Sequence, residues 1–164
     1  MTGKIHISIL LTILGTMVLA GCNRGPSLAG ANRIRFEHVA LNVNNPTEVA
    51  HWYRENLGME IVRGANDPDS GKFVADKEGN MMFEFYHSDA AKVLDFPSMH
   101  CHELHIAFFV DDVEAICKKL VNAGGRMDGE IFTTDAGDVI AIVRDPWGIP
   151  LQFVNRAEPM LFFL

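Results

Sequence analysis

The chain repeats itself around two histidines, and a repeat of this kind narrows the possible folds more than any single motif does. Phe36-Glu37-His38-Val39-Ala40-Leu41-Asn42-Val43 is echoed by Glu103-Leu104-His105-Ile106-Ala107-Phe108-Phe109-Val110. A helix-like stretch follows each copy and is closed by glycine, Gly58 in the first half and Gly124-Gly125 in the second. Each half then ends in an apolar run with a polar residue inside it, Phe83-Glu84-Phe85 and Leu151-Gln152-Phe153. Paired positions keep a nearly constant offset, from 38 to 105, 58 to 125 and 84 to 152. A duplicated domain with a pseudo-twofold axis would bring His38, Glu84, His105 and Gln152 together. Two imidazoles, a carboxylate and an amide oxygen suit a borderline divalent ion, with positions left open for water or substrate. Zn, Ni, Co, Mn and Fe(II) all satisfy that donor set.

Local signals give each half the order β-α-β-β-β. In the first, Val39, Leu41 and Val43 alternate with His38, Ala40 and Asn42, which predicts a strand over 35–42. Asn45-Pro46-Thr47-Glu48 is a helix start with a capping residue, a proline at the first position and a capping-box spacing. Val49, Trp52, Tyr53 and Leu57 form the helix stripe, and Gly58 stops it. Strands follow near 60–63, 72–76 and 81–87, the last two joined by a tight turn at 76–80. In the second half the strand covers 104–110, and Asp111 or Asp112 caps a helix with Val113, Ile116, Cys117 and Leu120 on its stripe. Strands near 129–133, 138–143 and 150–155 complete it, with Asp145-Pro146-Trp147-Gly148 as the last turn. Neither half covers its own sheet, so an α+β domain of two paired modules is expected.

With 164 residues and a formal net charge of −7, the chain is large enough for one sizeable core. An acidic domain without a Lys/Arg stripe is a poor partner for nucleic acid. Before the domain, Lys4 precedes an apolar run over 5–19 that is too short and too diluted to span a bilayer. It reads as a signal peptide over 1–21. The run ends in Leu19-Ala20-Gly21-Cys22, which resembles the lipobox of bacterial lipoproteins. That resemblance implies cleavage before Cys22, lipidation of Cys22, a flexible tether over 22–34 and attachment to a membrane. Asn23 after the cysteine favours the periplasmic side of an outer membrane. Cys101 and Cys117 then remain, and their redox state is open. The tail over 157–164 is apolar and would pack on the domain or on a second subunit.

The strings His38-Val39-Ala40-Leu41-Asn42-Val43, Trp52-Tyr53-Arg54-Glu55-Asn56-Leu57-Gly58-Met59, His105-Ile106-Ala107 and Asp145-Pro146-Trp147-Gly148-Ile149-Pro150-Leu151-Gln152-Phe153 resemble the vicinal oxygen chelate superfamily. That group includes glyoxalase I, methylmalonyl-CoA epimerase, fosfomycin-resistance proteins, extradiol dioxygenases and bleomycin-resistance proteins. The resemblance spans about 35–156 and implies a cup-shaped domain, commonly dimeric, whose two modules come from one chain or from two. It implies metal ligands at His38, Glu84, His105 and Gln152. By alternation Asn42, Tyr86 and Phe109 then line the concave face, while Val39, Leu41, Ile106 and Phe108 face the helices.

The implied activity is a metal-dependent lyase or isomerase acting on a small substrate with vicinal oxygens, through an enediolate-like intermediate. Gln152 departs from the glyoxalase I pattern, whose last ligand is a glutamate that removes a proton. Glutamine can coordinate but cannot act as a base, so Glu84 becomes the candidate catalytic base. Glutathione hemithioacetal is a cytosolic substrate, which an exported domain would not meet. A metal-free binding module of the bleomycin-resistance type is the alternative from another class. An extradiol dioxygenase would need its carboxylate in the second module. His87, His100 and His102 are expected as exposed loop residues.

Overall fold

The computed structural model describes residues 35–67 and 70–160. The expected signal peptide over 1–21, the lipidation site Cys22 with its tether, and the last four residues of the apolar tail lie outside the described residues. The chain divides after Arg35, and every element below belongs to the unit Phe36–Leu164.

The first module runs β1 (Val39–Asn42), α1 (Pro46–Leu57), β2 (Glu60–Arg63), β3 (Lys72–Ala75) and β4 (Met82–Tyr86). The expected cap forms: the Asn45 side chain accepts from the Glu48 amide at 3.1 Å, and Pro46 takes the first helical position. Gly58 ends α1 in the left-handed region at φ 70°, a conformation that costs a residue with a Cβ. The sheet order is β1-β4-β3-β2, with β1 parallel to β4 and the remaining pairs antiparallel. Period-two alternation turns Leu41, Val74, Phe83 and Phe85 inward, where they pack under Val49, Ala50 and Tyr53 of α1.

The second module repeats the plan with β5 (Ile106–Phe109), α2 (Val113–Asn122), β6 (Arg126–Met127), β7 (Phe132–Thr133), β8 (Val139–Arg144) and β9 (Pro150–Asn155). Its sheet order is β5-β9-β8-β6, with β7 also on β8. Asp112 is the cap, accepting from the Ala115 amide at 2.9 Å, and Val113, Cys117 and Leu120 are buried as their stripe requires. Cys101 and Cys117 are both free thiols. One expected strand, over 129–133, is corrected. It is two short pieces, β6 and β7, on the same side of β8. Gly129 at φ 99° breaks the run, and the Asp128 carboxylate beside it binds Arg144.

The two modules meet through their cores. Tyr53, fully buried, donates its hydroxyl to Asp145 Oδ2 at 3.2 Å, across the turn between β8 and β9. Trp52 donates its indole N–H to the Ala123 carbonyl at 2.9 Å and meets Trp147 edge-on. Arg144 secures the connecting segment by donating to the carbonyls of Phe96 and Met99 at 2.7 and 2.8 Å. The sheet faces turned away from the helices stay open: Ala40, His105, Ala107 and Phe109 are exposed.

Candidate functional site

His38 sits one residue ahead of β1, and Glu84 lies in the middle of β4. Parallel pairing sets Ala40 opposite Glu84, so His38 and Glu84 share the open face. His38 Nε2 is 3.3 Å from Glu84 Oε2, with both side chains about a third exposed or less. On its other side the imidazole donates Nδ1–H to Glu37. The Glu37 hydrogen bond, with the negative charge of Glu37 and Glu84 beside it, lifts the His38 pKa above the ordinary 6.5 against a smaller effect of burial. Phe73 stands opposite Glu84 on β3 and meets the His38 ring edge-on, with centroids 5.6 Å apart. Gly71 closes the other side: a Cβ there would lie 3.3 Å from Glu84 Oε1.

The second sheet reproduces these stations. His105 sits one residue ahead of β5, and Gln152 stands opposite Ala107 as Glu84 stands opposite Ala40. His105 Nδ1 lies 2.9 Å from the Cys101 carbonyl. A carbonyl only accepts, so Nδ1 is the donor, and Nε2 is the nitrogen that the neutral imidazole offers to a ligand.

Within one chain His38 thus meets Glu84, while His105 and Gln152 stand at the matching register positions of the second sheet. Among the described residues no group of three or more His, Cys, Asp or Glu side chains could hold a metal. The duplication left open whether one chain or two would supply the four residues, and among one chain's described residues His38, Glu84 and His105 form no such group.

The expected lining residues differ in their circumstances. Tyr86 is half-buried on the face of Glu84. Asn42 is a scaffold contact: its amide donates to the carbonyls of Ser88 and Ala91 and accepts from the Ser88 amide. Phe109, 66% exposed, borders a groove of about 670 Å³ that also touches Met59, Lys77, Met81, Phe83 and Ala107. His87, His100 and His102 are exposed, His87 bound to the Val43 carbonyl and the other two in edge-on ring contact. Glu37 and Gly71 were missed in the sequence. Glu37 had a signal in its adjacency to His38, whereas Gly71 reaches Glu84 only through strand pairing.

A family model described as Glyoxalase/Bleomycin resistance protein/Dioxygenase superfamily matches residues 35–153. A lactoylglutathione lyase of Neisseria meningitidis is 28% identical over 130 residues, covering 75% of this chain and 91% of the relative. A protein of the same name from Haemophilus influenzae is 27% identical over 125 residues, covering 73% and 90%. Among solved structures, a glyoxalase family protein from Bacillus cereus superposes with a TM-score of 0.63 at 14% identity, covering 80% of this chain and 100% of that one.

Proposed function

The chain belongs to the glyoxalase/bleomycin resistance protein/dioxygenase superfamily, and from that premise we propose that it is a divalent-metal-dependent, glyoxalase-like lyase or isomerase for a small substrate with adjacent oxygens. The observation that carries this reading is the His38–Glu84 pair on an open sheet face, with His105 and Gln152 at the matching register positions of the other.

The donors suit a borderline divalent ion. His38 Nε2 and Glu84 Oε2 converge, and Gly71 leaves room beside the carboxylate. The His105 tautomer keeps Nε2 available, and Gln152 offers an amide oxygen. We infer that two copies of the chain complete the set, His38 and Glu84 from one facing His105 and Gln152 from its partner. A C2 dimer of this kind contains two equivalent sites.

Gln152 cannot take a proton at ordinary pH, so Glu84 removes the proton from the substrate carbon next to the adjacent oxygens. When bound, the metal supplies a Lewis acid that stabilises the enediolate-like anion left behind. Phe73, edge-on to the His38 ring, gives that anion an apolar flank. The name of the relatives makes lactoylglutathione the first product to assay.

The test is elemental analysis of the domain beside Glu84→Ala and His105→Ala variants. About one divalent ion per chain is expected in the wild type, and each variant should lose it while remaining folded. Mixing separately inactive His38→Ala and His105→Ala chains should restore about a quarter of the sites, because half of the dimers are mixed and each rebuilds one intact site. No metal after reconstitution with Zn, Ni, Mn and Fe(II) would sink the enzyme reading in favour of a metal-free binding module. Metal without restoration on mixing would remove the shared site.

A further inference from the structure

We propose that Arg63 is an anion-binding residue of this face, and that the substrate carries a carboxylate or phosphate roughly 10 Å from the oxygens held beside Glu84. The substrate class rests on the reading above; the anion site does not.

The observation begins with strand register. β2 pairs Glu60 with Ala75 and Ile61 with Val74, and then Arg63, not Val62, with Phe73. Val62 is the extra residue of a β-bulge. Regular pairing would have set Val62 opposite Phe73 and Arg63 on the helix side. The bulge brings Arg63 opposite Phe73 and onto the open face, and re-aiming a side chain beside a site is a recurrent use of such bulges.

Arg63 now lies over the Phe73 ring, 5.2 Å from its centroid. Phe73 stands opposite Glu84 on the next strand. Arg63, Phe73 and Glu84 therefore form a row across the open face, and two strand spacings separate its ends by roughly 10 Å.

Two facts make the guanidinium suited to a ligand. Among the described residues none of the ion pairs includes Arg63, whereas Arg54, Arg144 and Arg156 each face a carboxylate. Lys72, on the neighbouring strand, is buried on the helix side with its ammonium held by the carbonyls of Asp67 and Ser70. Arg63 is thus the Lys or Arg that the strands of the first sheet place on its open face. The cation–π contact with Phe73 holds the guanidinium on the open face, where its N–H groups suit a bidentate carboxylate or phosphate.

The test has a metal-free and a metal-loaded arm. In the first, benzoate, phenylphosphonate and neutral benzamide are titrated at physiological salt while the Arg63 Nε–H resonance and, in wild type and variant alike, the backbone amide resonances of β2 and β3 are followed. Saturable shifts with the anions, none with benzamide, and no anion binding in Arg63→Gln are expected. The stronger anion then indicates carboxylate or phosphate. Equal binding of the anions by Arg63→Gln, or no saturation in the wild type, overturns the proposal whether or not metal binds. In the second arm, 4-carboxybenzohydroxamate is compared with benzohydroxamate on metal-loaded protein. A preference of about three- to tenfold for the carboxylated probe is expected, abolished in Arg63→Gln and partly kept in Arg63→Lys, with metal content unchanged. A preference that survives in Arg63→Gln overturns the link to the metal pair. Anion binding by a protein that takes up no metal on reconstitution leaves the Arg63 site standing and defeats the metal-dependent reading instead.

Discussion

Gly71 shows how closely the Glu84 carboxylate is bounded. Its φ is not in the left-handed region, so its role is space rather than backbone freedom. A Cβ would meet Glu84 Oε1 at 3.3 Å and Tyr86 Cβ at 3.5 Å. The carboxylate, at the end of a flexible chain, is the group that yields. Gly71→Val is therefore expected to lower metal affinity while the unfolding free energy falls by no more than about 2 kcal/mol. Metal titration beside urea unfolding reads both quantities, and unchanged affinity would show that Glu84 does not depend on this space. Glu37 acts on the opposite flank, where it orients the His38 ring through Nδ1.

Helices α1 and α2 begin with the same device in both modules, an Asn or Asp side chain accepting from the amide three residues on. Asn45→Ala removes that acceptor and should destabilise the domain by about 1 kcal/mol, with Asn45→Asp close to neutral. Chemical denaturation of the three proteins checks this, and equal midpoints would mean that water replaces the cap without loss. The strands obey a different logic. Alternation predicts which face each residue takes, but only until a bulge intervenes. At Val62 the register slips by one residue, and at Gly129 a strand becomes two.

The joint between modules carries a buried charge. Asp145 is 2% exposed and accepts from the Trp147 and Ile149 amides and from Tyr53. Burial outweighs those hydrogen bonds and pushes its pKa from an ordinary 3.8 up to about 6. The folded state therefore holds this proton more tightly than the unfolded chain does. Its contribution to stability is complete below about pH 4 and is lost as pH rises through about 6, with a slope of at most about 1.4 kcal/mol per pH unit. Asp138, held low chiefly by its hydrogen bond to Arg156, acts in the opposite sense at more acid pH, so the comparison must be between proteins. Urea unfolding of wild type and Asp145→Asn from pH 4 to 7 should give curves whose difference changes over that interval. A constant difference would mean that Asp145 does not titrate there. The proposed metal set draws on two chains because His38, Glu84 and His105 form no metal-holding group among the described residues of one.

The modules were legible in the sequence because caps, glycine stops and period-two alternation depend on residues a few positions apart. Asn45, Gly58 and the stripe of α2 stand where those rules put them. The duplication also marked His38, Glu84, His105 and Gln152 as equivalent, and strand register gives each pair the same relation. How the halves meet was not legible, since the contact of Tyr53 with Asp145 joins residues 92 positions apart and no local pattern encodes it. The placing of Arg63 opposite Phe73 was hidden for a related reason. A bulge is a mismatch between two strands, and neither strand alone contains it.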